Sequence, residues 1–122
     1  MRALVVDDSR AMRTILSRIL RELGFDPIAA VDGVDALEKL GPNPVDLALV
    51  DWNMPNMNGL DLVKNLRSNP MHLKTPIVMV TTESDVSRMT TALEAGADEY
   101  VLKPFTKEVL EEKLRILQVV HA

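Results

Sequence analysis

Five side chains suited to phosphate chemistry each follow a short apolar run of the sequence. They are the carboxylates Asp7, Asp8 and Asp51, the hydroxyl Thr81 and the ammonium Lys103. Carboxylates that lie close together raise one another's pKa unless a cation is present, so such a cluster is typical of a Mg²⁺ or Ca²⁺ site. With few protein ligands, Mg²⁺ that keeps its waters is favoured. The lysine and the hydroxyl could bind an incoming anion, and together the residue types indicate phosphoryl transfer onto a carboxylate.

The segments around these residues alternate between strand and helix patterns. The apolar runs are short and continuous, as expected for strands buried on both faces. Strands are predicted over residues 3–6, 27–31, 45–50, 76–80 and 99–102, and helices over 9–23, through 36–40, from 59, over 82–96 and after 106. Five such alternations predict an α/β fold: a doubly wound, five-stranded parallel sheet with helices on both faces. Because parallel strands end at one edge, the five polar side chains would meet at the carboxyl edge of the sheet.

Three local features of the sequence give more detailed expectations. The first helix carries a predicted apolar stripe of Met12, Ile15, Leu16, Ile19, Leu20 and Leu23. Residues 82–85 resemble a capping box that would open the fourth helix, which ends at Gly96. His72 lies in a polar connector and His121 in the tail, and without a partner at ligand spacing neither is expected to bind a metal.

Composition excludes several other classes of protein. With 122 residues, 47% of them hydrophobic, we expect one globular domain that spans the whole chain. The absence of cysteine excludes disulfides and thiolate metal sites and is compatible with the cytoplasm. The apolar runs are too short to span a bilayer, so no membrane insertion is expected. A net charge of -4 argues against nucleic acid as the main partner.

The same residues resemble the receiver domain of bacterial two-component response regulators. Asp7-Asp8, Asp51, Thr81 and Lys103-Pro104 carry the resemblance, which extends over essentially the whole chain. Segments 32–37, 51–60 and 103–114 are most similar to the receivers of chemotaxis. The resemblance implies a flavodoxin-like sheet of strand order 2-1-3-4-5 and a single domain, 1–122, with no output domain.

The resemblance also implies a role for each site residue. Asp51 would accept a phosphoryl group from a phosphohistidine. Asp8 would bind Mg²⁺ directly and Asp7 through water, and the remaining protein ligands would be Asp51 and the backbone carbonyl of Asn53. Thr81 and Lys103 would contact the phosphoryl oxygens. Asn53 and Glu83 match the positions that tune how fast water removes the phosphoryl group.

Tyr100 matches the aromatic residue that switches in this family. Partners would read a surface that includes Tyr100, Val86, Met89 and Lys113. The resemblance implies a sensor histidine kinase of the CheA type as phosphodonor, and a flagellar motor switch protein or another phosphorylation-dependent target. A phosphatase is a possible further partner, and the chain is expected to be a monomer that is not itself an enzyme, although it assists its own phosphorylation and dephosphorylation.

Several alternatives stay open at this point. The arginines of the first helix are either a solvated face or a docking surface for the kinase. The chain could instead be a phosphorelay or regulatory receiver outside chemotaxis, or a small Mg²⁺-dependent aspartyl phosphatase. The phosphatase would need a second acid near Asp51, and Asn53 stands there instead. Thr82 stands where alanine is common in the family, which leaves the lifetime of the phosphoryl group open.

Overall fold

The computed structural model describes residues 1–82 and 87–117. Its strands and helices alternate along the chain, and a 3₁₀ helix (Pro70–His72) precedes the fourth strand. The elements are β1 (Arg2–Val6), α1 (Arg10–Glu22), β2 (Asp26–Ala30), α2 (Gly33–Leu40), β3 (Leu47–Asp51), α3 (Gly59–Ser68), β4 (Ile77–Thr82), α4 (Met89–Ala95), β5 (Glu99–Lys103) and α5 (Lys107–Ile116).

The five strands form one parallel sheet in the order β2-β1-β3-β4-β5. The predicted doubly wound α/β fold and its strand order are therefore confirmed. Strand β3 is central, and all five of its residues are buried. A strand covered on both faces has no solvent side, which explains why Leu47–Val50 is an unbroken apolar run.

Helices cover both faces of this sheet and give it two apolar cores. Alternate strand residues point to opposite faces, so Ala48 and Val50 of β3 lie in one core and Leu47 and Leu49 in the other. Helices α2, α3 and α4 pack on the first face, and α1 and α5 pack on the second. Each helix buries an apolar stripe, and this burial is the main stabilising contribution to the fold.

Polar side chains fix where four of the helices begin. Ser9, Asp32, Asn58 and Thr106 each accept a hydrogen bond from a backbone N–H in the first turn of α1, α2, α3 and α5, respectively. Such N-caps satisfy donors that have no partner within the helix. Their positions fix the loops that lead out of β1, β2, β3 and β5, which are the loops at the carboxyl edge of the sheet.

The structure corrects two of the local expectations. Ile15 is 46% exposed whereas Ser17 is buried, because the apolar stripe of α1 is narrower than predicted and turns toward Leu16, Ile19 and Leu20. His72, which lies in the 3₁₀ helix, is 2% exposed.

The second correction concerns the ends of the strands and the start of the fourth helix. Strand β3 begins two residues later than predicted and includes Asp51, and β4 extends through Thr82. Helix α4 begins at Met89 with no side-chain cap and ends at Gly96 as predicted. Residues 83–85 of the predicted capping box lie outside the described part of the chain. None of the helices in that part has the length and apolar character needed to cross a bilayer.

Candidate functional site

The parallel sheet brings the predicted polar residues together at its carboxyl edge. Asp7 follows β1 directly, and Asp51 is the last residue of β3. The next two strands contribute Thr81 and Lys103, which lie at their carboxyl ends. Because β1, β3, β4 and β5 are consecutive neighbours in the sheet, residues far apart in sequence become adjacent in space.

Lys103 joins two carboxylates at this edge. Its Nζ lies 2.9 Å from Asp7 Oδ2 and 3.4 Å from Asp51 Oδ1. Burial lowers the pKa of Lys103, but the hydrogen bond to Asp7 and the charge of Asp51 more than offset this, so its pKa is raised. The ammonium is therefore a fixed positive charge at neutral pH.

Asp7 is held firmly by its surroundings. It is 1% exposed, and its Oδ1 accepts a hydrogen bond of 2.9 Å from the Ser9 backbone N–H. The guanidinium of Arg13 donates to the Asp7 backbone carbonyl at 2.7 Å. These contacts fix the Asp7 carboxylate between the start of α1 and Lys103.

The Asp51 carboxyl is electrostatically strained. Burial, followed by the negative charge of Asp7, raises its pKa from 3.8 to about 6, although Lys103 acts in the opposite direction. A buried carboxylate with a like charge beside it is stabilised by any cation that binds nearby. The Asp51 side chain is 10% exposed, so an incoming group can still reach it.

Three carboxylates at this edge could hold a metal ion. Asp7, Asp8 and Asp51 each offer one oxygen, and these atoms lie within 4.8 Å of one another. Asp8 is exposed and the other two are buried, so the cluster opens toward solvent on one side. An oxygen-only set of this size suits a hard cation that retains water ligands. The donor set therefore fits the metal predicted from the sequence.

Thr81 lies beside this cluster with a hydroxyl that has no partner among the described residues. The residue is fully buried, and its Oγ1 makes no hydrogen bond within the described residues. Buried polar atoms are nearly always satisfied, so an unsatisfied one at a site is consistent with a group that arrives later.

Gly59 fixes the course of the chain that follows Asp51. Its backbone N–H donates to the Trp52 carbonyl at 2.9 Å. A Cβ on Gly59 would collide with the Asp51 carbonyl oxygen and lie 3.0 Å from Trp52 Cα, so no other residue fits this approach. The start of α3 is thus packed directly against the end of β3. The exposed residue Asn53 lies in the loop between them.

The predicted partner surface is only partly exposed. Tyr100 and Lys113 line a groove of about 360 Å³ with Leu102, Pro104, Phe105 and Val109. Lys113 Nζ lies 5.7 Å from the centre of the Tyr100 ring and 3.5 Å from Glu99 Oε1. Contrary to the prediction, Met89 does not belong to this surface, because it is 2% exposed and packs in the core beneath α4. Val86 and Glu83 lie outside the described residues.

Sequence reasoning missed two contacts near the site. The Arg88 guanidinium lies 5.9 Å from the centre of the Trp52 ring, and Asn56 donates a hydrogen bond to Asp32 at 2.7 Å. Both link loops that are far apart in sequence, and neither residue type signals such a contact. Only the start of a helix after Asp32-Gly33 could be predicted.

Comparison with known proteins agrees with this geometry. Residues 3–115 match the family described as the response regulator receiver domain. The chain is 50% identical over 119 residues to the chemotaxis protein CheY1 of Helicobacter pylori (strain ATCC 700392 / 26695), and the match covers 96% of each protein.

Solved structures show the same fold. The chemotaxis protein CheY4 of Vibrio cholerae matches with a TM-score of 0.88 and 35% identity, covering 94% of this chain and 96% of that one. The receiver domain of sensor histidine kinase PA1611 from Pseudomonas aeruginosa matches with a TM-score of 0.85 and 25% identity, over 94% of each chain. That structure has a magnesium ion coordinated in its active site cleft. By sequence, fold and site, the chain belongs to the family of response regulator receiver domains.

Proposed function

We propose that this chain is a stand-alone response regulator of chemotaxis, a single receiver domain that accepts a phosphoryl group on Asp51 from a histidine kinase. The observation that carries the proposal is the charge balance at the carboxyl edge. One ammonium, Lys103, lies among the three carboxylates Asp7, Asp8 and Asp51, and two negative charges remain. One divalent cation balances them, and Lys103 and the Thr81 hydroxyl, which has no partner among the described residues, then favour an anion at the same place.

Mg²⁺ is the proposed cofactor. Asp8 and Asp51 would bind it directly, Asp7 would act through a water molecule, and the Asn53 carbonyl would complete the protein ligands. The magnesium in the receiver domain of PA1611 supports this choice, as does the oxygen-only donor set here. Bound Mg²⁺ would neutralise the charge that the phosphoryl oxygens bring to the site.

The transfer itself uses the residues of this chain as follows. An Asp51 carboxylate oxygen attacks phosphorus in line with the bond to the kinase histidine. The new O–P bond forms as the N–P bond breaks, and the leaving imidazole retains the electron pair. Lys103 and the Thr81 hydroxyl hold the phosphoryl oxygens during transfer. Water later cleaves the acyl phosphate to inorganic phosphate and restores Asp51, with Asn53 and Glu83 setting the rate.

Readout would start from Thr81. A hydrogen bond from its hydroxyl to the phosphoryl group would move the end of β4, and Tyr100 on the adjacent strand would turn inward. Tyr100 and Lys113 line the same groove, so this motion changes the surface that a flagellar motor switch protein or another target would bind. The names of the relatives, chemotaxis proteins of two genera, support chemotaxis over another signalling pathway.

The kinase would approach over α1. Arg10, Arg13 and Arg21 line a groove of about 290 Å³ together with Thr14, Ser17 and Ala29. The protein carries a net charge of -4, so this basic face contrasts with the rest of the surface and would steer an acidic partner toward Asp51.

The experiment that tests the proposal is the intact mass of the metal-free protein after incubation with acetyl phosphate, with and without Mg²⁺. We expect one phosphoryl adduct that requires Mg²⁺ and decays with time. Asp51→Asn should give no adduct, whereas Asp61→Asn, which changes a carboxylate in the first turn of α3, should retain it. The absence of any adduct on the wild-type protein would refute the proposal.

A second step tests the pathway. The phosphorylated protein should bind the flagellar switch protein of its own organism more tightly than the Asp51→Asn variant does. Equal binding would leave a receiver, but one that acts outside chemotaxis.

A further inference from the structure

A hydrogen bond links the loop that follows β2 to the loop that follows Asp51. Asn56, in the loop between β3 and α3, donates from Nδ2 to Asp32 Oδ2 at 2.7 Å. Asp32 follows β2, and its other oxygen accepts the Asp35 backbone N–H at 2.8 Å, which caps α2. The carboxylate therefore binds its own helix with one oxygen and a distant loop with the other.

The surroundings of Asp32 make this bond strong. The residue is 6% exposed, and the hydrogen bonds from the Asp35 backbone and from Asn56 lower the pKa of its carboxyl. An ionised acceptor gives a hydrogen bond that is stronger than one between neutral groups. Asp32 is thus a charged hydrogen-bond acceptor at the start of α2.

The loop that Asn56 belongs to is held at a second point. Asn56 has a backbone φ of 65°, a left-handed conformation that asparagine tolerates better than most residues. The next residue, Met57, packs so closely on Gly33 that a Cβ there would lie 2.9 Å from Met57 Cβ. Asp32 and Gly33 therefore contact two consecutive residues of the loop, Asn56 through a hydrogen bond and Met57 through close packing.

We propose that the Asp32–Asn56 pair positions the loop between β3 and α3 and thereby sets the affinity of the site for Mg²⁺. This inference rests on the proposed function, in which the Asn53 carbonyl binds the metal. Asn53 lies only three residues before Asn56, and Gly59 fixes the far end of the loop against the end of β3. A loop held at both points presents its carbonyl without having to be ordered by the metal.

The charge that Asn56→Asp adds distinguishes positioning from a general electrostatic effect. Asn56→Asp places a second carboxylate against Asp32 and breaks the bond by repulsion. If only charge mattered, the added negative charge near the site would tighten Mg²⁺ binding. If positioning matters, binding weakens instead, by about tenfold, which is typical for residues that hold a metal ligand in place.

The reciprocal exchange provides the rescue. In the double variant that combines Asp32→Asn with Asn56→Asp, the amide introduced at position 32 can still cap α2 with its oxygen and donate to the new carboxylate with its nitrogen. The net charge of this double variant is that of the wild type. Affinity for Mg²⁺ should return to within about threefold of the wild-type value.

The measurement is a Mg²⁺ titration of the full chain followed by the fluorescence of Trp52, the only tryptophan, which directly follows Asp51. Asn56→Gly provides a neutral version of the break that tolerates the positive φ, and it should also bind Mg²⁺ more weakly. Asn43→Asp, an exposed loop residue, adds the same charge elsewhere and should bind as the wild type does. Melting temperatures without metal report stability separately.

Weaker binding in both single variants and recovery in the exchange would support the inference. Unchanged or tighter binding in Asn56→Asp and Asn56→Gly would overturn it, even if both variants melt at lower temperature. If the wild type itself shows no Mg²⁺ response, the proposed function fails, and this result differs from a failure of the positioning pair.

Discussion

The two ends of the sheet carry polar clusters of opposite character. At the amino edge, Arg67 from α3 donates to the carbonyls of Gly96, His72 and Leu73 and to Asp98 Oδ2, at 2.6 to 3.3 Å. Asp98 Oδ2 also accepts the Ile77 backbone N–H at 2.8 Å. At the carboxyl edge, Asp51 has a raised pKa and Thr81 has no partner within the described residues.

This contrast separates a cluster that stabilises the fold from one that is prepared for a ligand. Arg67 fills its donor directions with fixed acceptors, so burial of its charge is compensated. Gly96 makes room for it, since a Cβ there would lie 2.6 Å from Arg67 Cγ. At the carboxyl edge the negative charges are not fully neutralised, and the Thr81 hydroxyl has no acceptor within the described residues. A divalent cation would neutralise the charge, and a phosphoryl oxygen would accept the hydroxyl hydrogen bond.

The largest expected effect is at the amino edge. Arg67→Ala should lower the free energy of unfolding by about 3 kcal/mol, because three carbonyls lose their donor and the Asp98 carboxylate keeps only its bond from the Ile77 backbone N–H. The measurement is urea denaturation of the metal-free protein. The folded fraction should still take up a phosphoryl group from acetyl phosphate.

The matched control is Arg115→Ala. The Arg115 side chain is 50% exposed and, within the described residues, makes a 3.9 Å contact with Glu111, so its removal should change stability by less than about 0.5 kcal/mol. Similar losses of free energy of unfolding in the two variants would mean that the Arg67 hydrogen bonds add no more stability than an exposed arginine does.

The next effect has the opposite sign. Asp51→Asn should raise the free energy of unfolding of the metal-free protein at pH 7, by about 1–3 kcal/mol. The pKa of Asp51 is about 6 in the folded protein and near 3.8 when unfolded, so its protonated form favours folding. That contribution is complete below about pH 4 and is lost as the pH rises through 6.

The difference between variant and wild type should therefore vanish near pH 4 and grow toward pH 7. Glu112→Gln, on the exposed side of α5, is the control that removes one carboxylate charge from α5. Adding Mg²⁺ should stabilise the wild type but not Asp51→Asn, which reduces the difference. A variant that is less stable than the wild type at pH 7 without metal would contradict the idea of a strained carboxylate.

The sequence predicts one end of the sheet much better than the other. Asp7 directly follows a strand, and Asp51 and Lys103 each end one, so strand direction alone brings them together, and the structure confirms that placement. The Arg67 network is invisible in the sequence, because its acceptors are mostly backbone carbonyls that carry no residue signature.

For a similar reason, the sequence did not predict other features of the structure. Met89 was expected at the surface, but tertiary packing beneath α4 buries it. The Asp32–Asn56 bond depends on how two loops approach each other, which spacing along the chain does not encode. Periodicity predicts the layers of the fold, whereas contacts between loops require the assembled structure.

The smallest effect compares the two ends of a single strand. Thr81→Val, at the carboxyl end of β4, removes a buried hydroxyl that has no partner in the described part of the chain, so stability should stay equal or rise by up to about 1 kcal/mol. Thr75→Val, just before β4, removes a hydroxyl that donates to the Val45 carbonyl at 3.4 Å and should cost about 1 kcal/mol. Urea denaturation of the two variants checks this difference in sign.

Thr81→Val should nevertheless lose phosphorylation-dependent binding of its target, since the missing hydroxyl would have contacted the phosphoryl group. If Thr81→Val is instead the less stable of the two, its hydroxyl contributes to the fold, and the carboxyl edge is more like the amino edge than the geometry indicates.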